Sequence, residues 1–133
     1  MALYKHKLDQ KVKENEKRYR KLVEKSPIAI GIICGRHIVY ANPHAVYLFG
    51  AESEDDLKKK YIFDFVHDEF AVRIKERMQK IIKDGEVVEG RDEKLITLDG
   101  RVIDVEFAAI PTLYKDKPAI QIVIRDTTEI TKR

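Results

Sequence analysis

At 133 residues the chain suits one domain with a real hydrophobic core, and it needs neither metal nor disulfide to fold. Lys and Arg number 26 against 23 Asp and Glu, a mild excess that argues against a dedicated polyanion binder. Cys34 is the single cysteine, which excludes an internal disulfide or a multi-cysteine zinc site and suits a reducing cytoplasm. No apolar run approaches the roughly eighteen residues of a membrane-spanning helix, and the charged N-terminus lacks a signal-peptide core, so the chain reads as soluble and cytoplasmic.

The elements divide into an N-terminal helix over residues 1–25, a domain over 26–127 and the start of a linker over 128–133. The first segment holds nine of the Lys and Arg residues and four of the acids. Its apolar residues Leu8, Val12, Tyr19 and Leu22 follow a short heptad stripe with Asn15 at one seam position, as in an amphipathic helix that packs on its own domain or on a second chain.

After Ser26 and Pro27, "IAIGIICG" and "RHIVYAN" predict two antiparallel strands across a turn at Gly35 and Arg36. Asn42 before Pro43 predicts a capped short helix that ends at Gly50, and Ser53 opens another, with Asp56 where a capping-box acid would sit. "YIFDFVHDEF" is too short for an independent helix. From Asp68 a longer helix runs to about Lys83 with Ala71, Ile74, Met78 and Ile81 on one face, and Asp84-Gly85 ends it. Three strands follow: "EVVEGRDEKLITL", "RVIDVEFAAIPTLY" and "PAIQIVIRD", joined at Asp99-Gly100 and at "KDK". Alternation puts Ile103, Val105, Phe107 and Ala109 on one face of the middle strand. This order predicts an α+β fold: a five-stranded antiparallel sheet with short helices and one longer helix on one face.

Together with its punctuation, that order resembles the PAS domain over about residues 24–130. "IVYANPHAVYLFG" is similar to the family's second strand, Asn-Pro turn and short helix. "FDFVHDEF" looks like the His-containing entry to its long helix, with Asp68 in place of the usual Pro. "LDGRVIDVEFAAIP" resembles its Asp-Gly hairpin and fourth strand, and "IRDTTE" its closing Asp-x-Thr motif. The resemblance implies a sensory module linked to an effector such as a histidine kinase or a cyclic-dinucleotide enzyme. By the same resemblance, Asp126 and Thr128 form the joint at which the sheet hands over to an output helix.

The cofactors of such modules make specific demands. A flavin photoreceptor of the light-oxygen-voltage type needs a reactive Cys in the short helix before the long one, and residues 61–68 hold none. A haem-binding member takes its axial His from the long helix, and Glu69 to Lys83 contains none. Haem and covalently reacting flavin are therefore not expected, nor is a metal, since His37, His44 and His67 have no ligand spacing. No hydrolase, P-loop, zincin or kinase motif occurs, so no catalytic residue is assigned and no enzyme is expected.

What remains is an apolar interior for a small apolar ligand, with Ile30, Ile32, Val39, Leu48, Phe65, Ile74, Met78, Ile81, Val105, Phe107 and Ile122 as its candidate lining. Ile38, Tyr40 and Val123 are assigned to the outer sheet face. With the stripe Leu8, Val12, Tyr19 and Leu22 they are the candidate surface of a homodimer. Two other readings stand beside this one: a dimerisation and relay module with a filled core, and nucleic-acid binding through the basic N-terminal helix. Asp9, Glu14, Glu16 and Glu24, interspersed along that helix, argue against the latter.

Overall fold

The computed structural model describes residues 28–128, so the expectations for Leu8, Val12, Tyr19 and Leu22 lie outside the described residues. Strands β1 (Ala29–Cys34) and β2 (His37–Ala41) form a hairpin. Helices α1 (Pro43–Leu48) and α2 (Glu54–Lys58), a 3-10 turn (Ile62–Phe65) and the long helix α3 (Asp68–Asp84) follow, then β3 (Val88–Ile96), β4 (Val102–Tyr114) and β5 (Lys117–Asp126). All pairings are antiparallel, in the order β2-β1-β5-β4-β3, which sets the β1–β2 hairpin beside the last strand.

Local chemistry explains the joints. Asn42 caps α1, its side chain accepting from the Ala45 N–H, and Pro43 fills the first helical position, where its missing donor costs nothing. Asp56 does not complete a capping box with Ser53. Its carboxylate accepts instead from the Glu52 N–H at 3.1 Å, one residue before the cap. Tyr61 to Phe65 winds only into a 3-10 turn, with the Asp64 side chain accepting from the Tyr61 N–H. Gly85 stops α3 in a left-handed conformation at φ 66°, which a residue with Cβ adopts only at a cost.

Two bulges break the simple alternation. Pairing of β1 with β2 slips between Ile32 and Ile33, and pairing of β3 with β4 slips between Val88 and Arg91, where Gly90 takes φ 55°. Beneath the helices the inner sheet face carries two groups of buried side chains. One gathers Ala29, Leu48, Phe49, Phe65, Val105 and Ile124 with their neighbours, and the other gathers Ile33, Ile81, Val88, Ala109 and Ile120.

Candidate functional site: a cavity between the long helix and the sheet

Ile62, Phe107 and Ile122 pack against both groups, and between the groups lies an apolar cavity of about 100 Å³. Its wall is built from Ile74, Met78 and Ile81 of α3, Phe65 at the 3-10 turn, and inward residues of β1, β4 and β5. Small residues make the space. Ala29, Gly31, Ala41, Ala45 and Ala109 all border it, where larger side chains would fill it. A Cβ added at Gly31 would meet the Tyr40 carbonyl oxygen at 3.3 Å and Ile122 Cγ2 at 3.6 Å. At about 24 cal/mol per Å³ the unfilled volume costs about 2 kcal/mol, which an occupant of matching shape would return.

The structure brings Phe65, Ile74, Met78, Ile81, Phe107 and Ile122 together on this wall, with Met78 and Phe107 both bordering the cavity. Ile30 also borders the cavity, whereas Ile32 is placed differently from the expectation. Ala29, Gly31 and Ile33 pair with Ile124, Ile122 and Ile120, so the inward phase of β1 is the odd-numbered one. Ile30 and Ile32 pair with Val123 and Gln121 in the alternate phase, and of the two only Ile30 borders the cavity. Both phases of "IAIGIIC" are apolar, so alternation alone had no preference.

The first bulge corrects β2 in the same way. Ile33 pairs with Ile38 and Ile32 with Tyr40, leaving Val39 as the extra residue. Ile38 is therefore buried in the inner layer and lines the cavity instead of joining the outer face, while Val39 is half-buried away from the wall. Leu48 and Val105 are buried in the core beside the cavity and form no part of its wall. Tyr40 and Val123 lie on the outer side with Ile32 and Ile30.

The cavity lining itself is wholly apolar, but a charged cluster packs beside it that was missed from the sequence. Glu93 of β3 pairs with Val105, an inward residue, so its carboxylate faces α3. Arg73 donates to both of its oxygens at 2.7 and 2.9 Å, and Arg77 approaches it at 3.8 Å. Arg77 and Glu93 both border the cavity, and the Arg77 guanidinium stands 5.7 Å from the centre of the Phe107 ring. Burial and then the neighbouring Arg91 hold Arg77 below the usual guanidinium range, while Glu93 pulls in the opposite direction. The available signal was Arg73 and Arg77 at helical spacing beside Ile74 and Met78, with an acid between inward positions of β3.

At the far end of the sheet the Asp126 carboxylate accepts from the Thr128 N–H at 2.9 Å and from its hydroxyl at 2.6 Å. The Thr128 hydroxyl oxygen also accepts from the Asp104 N–H at 3.1 Å, and the Thr127 N–H donates to the Asp104 carbonyl at 2.8 Å. The end of β5 is thus latched to the start of β4, and Lys94 of β3 ties into the latch through Asp104 at 2.6 Å. Cys34 is half-buried with its thiol 3.6 Å from the Pro118 carbonyl, and His67 precedes α3 with its ring edge-on to Phe70.

A family model described as PAS fold matches residues 17–127. The chain belongs to the PAS family. A curated relative, Sporulation kinase A of Bacillus subtilis (strain 168), is 30% identical over 118 residues, covering 89% of this chain and 20% of the kinase. The chain therefore spans about a fifth of that relative's length. A domain of a sensory box sensor histidine kinase/response regulator from Geobacter sulfurreducens superposes with a TM-score of 0.71 at 21% identity, covering 84% of this chain and 94% of that one. The PAS domain of a LuxR-family transcriptional regulator from Burkholderia thailandensis, solved in complex with ethanol, gives 0.67 at 15% identity, covering 81% and 96%. This PAS domain is homologous to a segment of Sporulation kinase A and shares its fold with a domain of a sensory box sensor histidine kinase/response regulator, as befits a sensory signalling module. Among the described residues no helix is long and apolar enough to cross a membrane.

Proposed function

We propose that this PAS domain is a cytoplasmic, non-enzymatic sensory module that holds a small molecule with an apolar body between α3 and the sheet. In this reading occupancy changes the packing of α3 on β4 and β5, and the change leaves through Asp126 and Thr128 toward an effector such as a histidine kinase. The observation that carries the reading is the cavity itself, which divides an otherwise packed core. A filled core would support only the relay role. The ethanol complex of the Burkholderia thailandensis domain supports the scale of ligand, since a volume of about 100 Å³ admits only a few heavy atoms.

A ligand shifts such a switch only by binding its two conformations unequally, and the latch at Asp104 supplies a part that can be made or broken. The module also pairs as a homodimer, with the stripe Leu8, Val12, Tyr19 and Leu22 covering an outer face that includes Ile30, Ile32, Tyr40 and Val123. Native mass spectrometry compared with denaturing mass spectrometry of the purified protein tests the ligand. Small-molecule mass carried by the native protein is the expected result, and a native mass equal to the bare chain, unchanged after incubation with small apolar compounds, contradicts it.

A further inference from the structure

A second space opens on the other side of Met78. It is a groove of about 360 Å³ between α3, the β1–β2 turn and the start of β5, the scale of a small-molecule site. Lys75, Met78, Gln79, Ile82 and Lys83 recur at helical spacing, so one stripe of α3 forms its near side. Ile33, Phe63 and Ile120 supply an apolar floor, and Arg36 joins from the turn. Because Ile33, Met78 and Ile120 border the groove and the cavity alike, a single layer of side chains separates the two. Their chemistry differs. The cavity lining is wholly apolar, whereas Arg36, Lys75 and Lys83 border the groove and no acidic residue does. All three cations are exposed, and among the described residues none of them makes an ion pair. Charges of one sign along a cleft with apolar walls draw in a counter-ion, and Ile82, 40% exposed, is apolar surface for its tail to cover.

We propose that groove and cavity together hold one single-chain amphiphile, with its anionic head at the rim among Arg36, Lys75 and Lys83 and its alkyl tail passing Met78 into the cavity. The inference rests on the cavity being the ligand site. An all-apolar cavity accepts a tail but offers no polar atom to orient it, and the groove supplies that end. The tail ends in a methyl group, because a second charge carried into the cavity would be stripped of water without a partner. A cationic head would meet like charge at the rim. Met78 is the one side chain of α3 that borders both spaces, and its unbranched thioether has three rotatable bonds. It can therefore swing from between them while the backbone of α3 stays in place.

Methyl signals locate the occupant, because Ile82 borders only the groove and Ile81 only the cavity. Titrated into the whole chain, octanoate is expected to shift both signals with one midpoint. It binds about fivefold tighter than 1-octanol at low salt, the scale of exposed ion pairing, and the preference fades as salt is added. Octanedioate, charged at both ends, shifts Ile82 alone. Arg36→Gln, Lys75→Gln and Lys83→Gln made together keep the side-chain stems at exposed positions, so the variant folds and binds 1-octanol within about twofold of the parent while the preference is lost. A shift of Ile82 without Ile81 in octanoate overturns the passage past Met78. Equal affinity for octanoate and 1-octanol, or a preference that survives in the triple variant, overturns the anionic head at this rim. If octanoate moves neither signal while xenon still shifts Ile81, this inference fails and the cavity reading stands; if xenon is excluded as well, both fail.

Discussion

Asn42 completes the β1 ladder at Ile30 with its side chain. Its Oδ1 accepts from the Ile30 N–H at 2.9 Å, while its own backbone N–H donates to the Ile30 carbonyl at 2.9 Å. The same oxygen caps α1 through Ala45, and Nδ2 donates to the Ile28 carbonyl at 2.9 Å. One fully buried carboxamide thereby fixes where β1, β2 and α1 meet, at the edge of the cavity. Replacing Asn42 by Ala removes these three side-chain hydrogen bonds, one of them the helix cap, so it destabilises the domain by about 3 kcal/mol. Urea unfolding reads this as a lower midpoint at unchanged slope, and an unchanged midpoint removes the junction from the account.

The latch at the end of β5 makes a local prediction. In Thr128→Val the Asp104 N–H loses its acceptor, whereas the Thr127 N–H keeps the Asp104 carbonyl. Amide exchange at Asp104 rises about tenfold in this variant while exchange at Thr127 stays within about twofold of the parent. Equal acceleration at both sites means that the whole end of the sheet opens as one piece.

Asp99 supplies a pH dependence. Hydrogen bonds from the Thr97 hydroxyl and then from Arg101, whose Nε stands 2.9 Å away, hold its carboxyl below the ordinary value of 3.8. A depressed folded-state pKa stabilises the fold above the unfolded-state value and loses that contribution as pH falls through the folded-state value. Asp99→Asn therefore flattens the stability curve below about pH 4 and lowers stability at neutral pH. Thermal unfolding of parent and variant across that range checks it, and parallel curves contradict it.

The proposed homodimer is assigned to the N-terminal stripe. Changing Val12 and Leu22 together to Glu places two charges where an apolar seam is proposed, which shifts the chain to monomer by sedimentation. A variant as dimeric as the parent shows that the seam lies elsewhere.

Much of this architecture was legible because its signals are local. Asn42-Pro43, the helical spacing of Ile74, Met78 and Ile81, and Asp84-Gly85 each specify a backbone state within a few residues. The phase of β1 was not legible, because it depends on which side of an apolar-on-both-faces strand meets β5. Ile38 moved to the inner layer for a related reason: the bulge at Val39 is a property of the pairing, with no turn residue to announce it. The turn between β4 and β5 shows the same limit. Lys115 and Asp116 both take positive φ, 49° and 65°, in a two-residue loop without the glycine such turns favour. Arg77 and Glu93 belong to no local motif, and only the packing of α3 over β3 brings them together beside the cavity.

Xenon reports on the cavity itself, since the atom is neutral, apolar and small enough for a space of about 100 Å³. Under xenon pressure the methyl signals of Ile33, Ile81 and Ile120, which border the cavity, shift together and saturate, while those of Ile32 and Val123 on the outer sheet face stay put. Absence of any shift at the cavity methyls, or shifts confined to the outer face, would contradict a ligand-accessible space between α3 and the sheet.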